Sequence, residues 1–226
     1  MKKYVRRYPT KYRYNQMGLS KETGYFKYVD VNICAGCAVA SACQSLLDVR
    51  GYNAIGDYAL GIYERAKKAI GSQRTGLRIY PAVTEAIYTF NEEKRYIDIT
   101  ATKLAPRSKS LRDHLLNNGT AVAGFRWYEG MMYPTPIIPP NTPWYRRIWY
   151  HLRAPRYASA SGDIAGYHAA AVMGVDDHKQ AFVIQNSYGL GYGNKGNVYM
   201  KYDDFDASCV QAYGFDTVEE RKGTLI

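Results

Sequence analysis

Long apolar runs are missing from this chain of 226 residues. Nothing in it approaches the roughly 18 consecutive apolar residues of a membrane-spanning helix. The N-terminus, MKKYVRRYPTKYRY, is charged and aromatic where a secretory signal needs an apolar core. The chain is therefore expected to be soluble, cytoplasmic and not secreted through a signal peptide. Cysteine is scarce: there are four, and Cys34, Cys37 and Cys43 lie within ten residues of one another. That spacing is no disulfide framework and points to a reducing compartment. Acid is also short, 20 residues against 30 Lys and Arg, for a net charge of +10. The excess favours acidic partners without saying which. Internal repeats are absent.

What is plentiful is tyrosine, 23 residues. Tyrosine buries a ring while keeping one polar atom wet, which suits both half-exposed core sites and interfaces. Residues 1–16 hold six basic residues, four tyrosines and no acid, and read as an extended arm. Arg6 and Arg7 are its candidate docking residues. From Cys37 to about Val49 the apolar positions Val39, Cys43, Leu46 and Leu47 recur at helical spacing. Further helices are expected over 57–69, over 78–90 with Pro81 in the first turn, and over 110–119, where Asn118-Gly119 ends the pattern. TAVAGFRWY at 120–128 reads as a strand.

Residues 130–163 hold six of the nine prolines together with Trp144, Trp149, Arg146, Arg147, Arg153 and Arg156. They read as a long surface loop, with Trp144, Arg146 and Arg147 as further candidates for partner docking. HAAAVMGVDD, AFVIQNS and GNVYMKY then form three strands joined by polar turns. Helices first and antiparallel strands second is an α+β layout. It divides into an arm (1–20), one domain (21–218, helical to about 109 and β-rich from about 110) and a tail (219–226).

The stretch ICAGCAVASACQSLL at 33–47 admits four readings: half a zinc site, a redox dithiol, an ordinary buried helix start, or a nucleophile mounted on a helix. Zinc would need two further ligands, and no second Cys-x-x-Cys or paired His follows. A thioredoxin-type dithiol needs a preceding strand in a βαβ setting, and helices are expected there instead. A nucleophile needs a depressed thiol pKa, which a helix N-terminus helps to supply, and a base. Among four histidines, His114 lies in a polar helix, His178 in a charged turn and His151 among arginines. His168 alone heads an apolar strand. On its own it is more often a satisfied core histidine than a base. On the next strand, Asn186 ends an apolar run beside a glycine-rich turn, where an amide can fix the tautomer of a neighbouring imidazole.

With those residues in view, the chain resembles the papain-like cysteine peptidases. CAGCAVASA is similar to that family's nucleophile helix, and GYHAAAVMGVDDHKQAFVIQNSYGLGYGNKGNVYMKY to its His and Asn segment. TGLRIYPAVTEAI and NNGTAVAGFRWYEGM resemble segments of its bacterial and viral members. The resemblance spans roughly 26–218. It implies a two-lobe fold, one lobe helical and one an antiparallel barrel-like sheet, with the cleft between them. It also implies a Cys37 thiolate attacking a peptide or amide carbonyl, His168 as general acid and base, and Asn186 as orienter, with no cofactor or metal.

The usual oxyanion Gln, six residues before the nucleophile, is here Val31, which leaves either Asn32 as the oxyanion candidate, through a shifted loop, or the Cys37 backbone N–H working almost alone. Two Trp-Gly pairs of the family are Tyr188-Gly189 and Tyr192-Gly193, so Tyr188 and Tyr192 are expected to shield the site. Cys34 matches a family half-cystine, yet no cysteine lies between 44 and 208 to pair with it. Because the domain starts close to Met1, no propeptide is expected. The partners expected are a peptide or protein substrate and an acidic protein held by the arm in a larger assembly, with nucleic acid not the main ligand. The departures also sustain a second reading, a catalytically silent papain-like module with a structural or docking role in an assembly such as a virion.

Overall fold

The computed structural model describes residues 5–7, 14–15, 26–27, 33–52, 57–72, 77–92, 97–117 and 119–219. Three short strands come first, β1 (Val5–Arg7), β2 (Tyr14–Asn15) and β3 (Phe26–Lys27). Three helices follow, α1 (Cys34–Val49), α2 (Ala59–Ala69) and α3 (Ile79–Glu92). The rest alternates: β4 (Ile97–Leu104), α4 (Ser108–Asn117), β5 (Ala121–Tyr128), α5 (Glu129–Met132), β6 (Thr135–Pro136), α6 (Trp144–Arg153), β7 (Arg156–Tyr157), β8 (Ile164–Asp176), β9 (Ala181–Gln185), β10 (Asn197–Lys201), α7 (Tyr202–Ser208) and β11 (Cys209–Glu219).

Helix α1 is the axis of the helical layer. All of it except Cys34, Asp48 and Val49 is buried. A helix rich in Ala, Gly and Ser can be covered on every side because its backbone lets neighbours come close. It packs on β8, α2 and α3. Gly36 shows how tight the fit is: a Cβ there would run into the Ala59 carbonyl at the start of α2. The helix begins one turn earlier than the apolar spacing suggests. Ala35 and Gly36 carry no periodic signal, so the sequence pattern could not see that turn.

The sheet has nine strands in the order β4-β11-β5-β8-β9-β10-β7-β6, with β1 attached to β8. Its pairings are antiparallel apart from β10 with β7. The expected barrel-like lobe is thus an open sheet, because β4 and β6 end the path without meeting. β8 is long enough to serve three partners. β5 pairs along it up to Val172, β1 continues that edge from Gly174 to Asp176, and β9 takes the other edge only from Ala171 onward. The first half of β8 is therefore free of β9 on that edge.

Two expectations change. Residues 130–163 are no structureless loop: they contain β6, the ten-residue α6 and β7. The prolines cluster before residue 144, with Pro143 as the N-cap of α6, and the following ten residues contain neither Pro nor Gly. His114 is not on a solvated face. It is buried, and its Nε2 lies 3.0 Å from the Thr120 carbonyl and 3.2 Å from that of Phe215, which makes it a bolt between α4 and β11. Among the described residues no helix is long and apolar enough to cross a membrane.

Candidate active site

Asn186 follows the last paired residue of β9, Gln185, which sits opposite Ala171. The chain there leaves the ladder and enters the turn 186–196, held by a 2.9 Å bond from the Asn186 N–H to the Gly196 carbonyl. The turn needs its glycines. Gly193 has φ 57°, and a Cβ on it would strike Val198 and the Asn197 carbonyl. This departure brings the Asn186 side chain back along β8 to His168, with Oδ1 2.6 Å from Nε2.

An amide oxygen only accepts, so Nε2 is the protonated nitrogen of the neutral ring and Nδ1 keeps its lone pair. The Ser187 N–H also donates to the same oxygen at 2.8 Å, which fixes the amide's orientation. Sequence reasoning joined these two residues, and the structure places them in contact.

The imidazole sits in an aromatic box. Trp127 is 4.5 Å from it and Tyr188 4.9 Å, ring centre to ring centre. Tyr188 shields His168 directly. Tyr192 stands one layer back, edge-on to Tyr188 at 5.3 Å, with its hydroxyl donating to the Met131 carbonyl at 2.6 Å. Trp127 is a site residue that the sequence reading missed. Its indole N–H finds no acceptor among the described residues. The signal existed only as register: Phe125 lies opposite His168, so Trp127, two residues on, shares that face. Burial lowers the His168 pKa to about 4, only partly opposed by the Asn186 bond. The ring is neutral at ordinary pH.

Both cysteines of the Cys-x-x-Cys pair lie in the first turn of α1, in different surroundings. Cys37 is 1% exposed, and its N–H is already spent on the Ile33 carbonyl at 3.0 Å. Burial, followed by the neighbouring Cys34 and Asp57, pushes its thiol pKa well up, while the Ser187 side chain within hydrogen-bond reach works the other way. Cys34 is the first residue of the helix and is half-buried. Burial raises its pKa too, but backbone groups of Ala169, Ala35 and Cys34 itself favour its thiolate. Ala169 is the residue after His168, and the Cys34 thiol also acts on the Tyr188 phenol, which covers that ring. The helix's own ladder leaves the N–H groups of Cys34, Ala35 and Gly36 unused.

The remaining expected residues lie elsewhere or outside the described set. Val31 and Asn32, and with them the oxyanion position, fall outside the described residues, as do most of the arm and the tail after Glu219. The Arg6 backbone pairs with Val175. Arg7 is engaged inside the chain, donating to Asp176 Oδ2 at 3.1 Å and to the Tyr199 hydroxyl at 2.7 Å. Trp144, Arg146 and Arg147 are exposed on α6, which rests on β6. Cys43 is buried in the interior of α1. Cys209, its pKa pushed up to about 12 by burial, bonds the Gln211 carbonyl. All four cysteines are free. Among the described residues no three His, Cys, Asp or Glu side chains gather as a metal site.

No family model matches the sequence, and no curated protein matches it by sequence. Solved structures do match by shape. Xylellain, a cysteine protease from Xylella fastidiosa, aligns at 17% identity over 84% of this chain and 81% of its own, with a TM-score of 0.61. Digestive procathepsin L 3 of Tenebrio molitor aligns at 11% identity over 93% and 75%, with a TM-score of 0.60. The cysteine protease and lectin-like domains of Cwp84, a surface-layer-associated protein of Clostridium difficile, align at 12% identity over 97% and 62%, with a TM-score of 0.58. The chain thus has the papain-like two-lobe α+β fold, with its sheet left open.

Proposed function

We propose that the protein is a cysteine-dependent endopeptidase, acting on peptide or amide bonds beside the His168–Asn186 pair. The 2.6 Å contact between those two side chains, with the N-terminal turn of α1 close by, carries the reading. The likeness of the fold to structures described as cysteine proteases supports it. His168 is neutral with Nδ1 unprotonated, and the thiols are held protonated by burial, so the resting pair is thiol and imidazole, without an ion pair.

The thiol proton passes to Nδ1 as sulfur attacks the substrate carbonyl carbon. The imidazolium, braced by Asn186, then gives that proton to the leaving amine as the C–N bond breaks. Water, deprotonated by the same ring, releases the acyl group and restores the thiol.

On the family pattern the attacking thiol is Cys37. The observed register of α1 favours a second assignment, Cys34, which is more exposed and is the first residue of the helix. Limited iodoacetamide labelling, read cysteine by cysteine by mass spectrometry, separates the two. The expected result is preferential labelling within the Cys34/Cys37 pair, slowed in His168→Ala, with peptide cleavage lost in one of Cys37→Ser and Cys34→Ser and retained in the other. If all four cysteines react alike and the unsubstituted protein cleaves no peptide, the silent module with a structural role is the correct reading.

A further inference from the structure

Helix α6, WYRRIWYHLR, is built inside out. At about 100° per residue, Trp144, Ile148, Leu152, Tyr145 and Trp149 follow one another, in that order, across a single arc of about 140°. All five are exposed, from 53% for Trp149 to 78% for Leu152. The one half-buried residue of the helix is Tyr150, directly behind the middle of that arc. The helix therefore rests on β6 by its polar back and turns its apolar face to solvent. An amphipathic helix held by its own fold would do the reverse.

The ordering within the face tells what it is made for. The aliphatic Ile148 and Leu152 lie toward the centre and the two tryptophans form the edges. Arg153 and Arg146 continue past the Trp149 edge, and His151 and Arg147 past the Trp144 edge. From Gly130 to Gly162 there is no Asp, Glu or Lys, and four arginines. Aliphatics in the middle, indoles at the margin and arginines beyond them is the cross-section of a helix lying in a bilayer interface. The indoles sit at headgroup level and the guanidinium groups reach phosphate. A protein groove would take its aromatic anchors at the centre of the contact. A second copy would bring the arginines of both chains together at one interface.

We propose that α6 is a membrane-surface anchor, which lays the protein on an anionic phospholipid headgroup layer with Ile148 and Leu152 toward the acyl chains. The test is flotation of the purified full chain with vesicles of phosphatidylcholine, alone or with about 30% phosphatidylglycerol, together with tryptophan emission. The expected result is flotation with the anionic vesicles and a blue-shifted emission. Ile148→Ser with Leu152→Ser weakens binding at least about tenfold. Arg146→Gln with Arg147→Gln and Arg153→Gln weakens it by about fivefold per charge. None of these residues is buried, so the unfolding midpoints stay where they are. Absence of flotation at low salt overturns the proposal. So does flotation that the Ile148→Ser/Leu152→Ser change leaves intact, which would reduce it to diffuse charge attraction. Self-association lost on Trp149→Ser, or capture of an acidic protein, without vesicle binding would assign the face to those occupants instead.

Discussion

His168 is a titratable ring kept neutral by its surroundings, and that has a sign. Its folded pKa, about 4, lies below the ordinary 6.5. Between those values the unfolded chain binds a proton that the folded chain refuses, so stability rises with pH across that window. The contribution is complete above about pH 6.5 and is lost as pH falls to about 4, and it amounts to on the order of 3 kcal/mol. His168→Gln removes this dependence. Urea unfolding of both proteins across the window is expected to show their stability difference narrowing as the solution becomes acidic, and an unchanged difference would mean that the ring is solvated. The identity of this histidine was readable in the sequence, because it alone headed an apolar strand. Its aromatic box was not, since Trp127 enters through strand register, which local pattern does not record.

At the scale of elements, the contact of α1 with α2 decides where both thiols stand. Gly36→Ala places a methyl against the Ala59 carbonyl and 3.2 Å from the Tyr63 Cβ. The change is expected to cost about 1–3 kcal/mol by overpacking and to alter the rate at which Cys34 and Cys37 alkylate. Gly61→Ala is the control, because its Cβ meets nothing closer than the Arg65 guanidinium at 3.5 Å. It is expected to be neutral, or to stabilise by up to about 1 kcal/mol. Thermal unfolding of the pair checks both. Helices with an apolar stripe were legible within a few residues of their true ends. α6 was hidden by the prolines ahead of it, although its own ten residues carry a clear 3.6-residue pattern.

Across the whole molecule, Asp177 joins parts far apart in sequence. Its carboxylate takes the Arg112 guanidinium of α4 in two bonds, 2.8 Å and 2.6 Å, and the hydroxyl of Tyr202, where α7 begins, at 2.7 Å. The side chains are 5% exposed for Asp177 and 18% for Arg112, so water screens the pair little. Asp177→Asn keeps the shape and removes the buried partner of the cation, at an expected cost on the order of 3 kcal/mol in chemical denaturation. Arg112→Met in the same background should recover part of that loss, because the buried cation, left with the exposed Asp113 carboxylate at 3.5 Å, goes with it. A full-size loss in Asp177→Asn that Arg112→Met does not relieve would show that the pair itself matters little.

By itself the sequence determined the α+β class, the helices α1 to α4, the strands β5 and β8 to β10, and which histidine and asparagine to pair. These rest on apolar periodicity and on chemistry carried by short segments. Only the tertiary structure decided that the sheet stays open, that His114 is a buried bolt, that α1 starts at Cys34, and that α6 turns its apolar face outward. Each depends on which surface meets which, and burial is a property of the packed chain that no local stretch of residues contains.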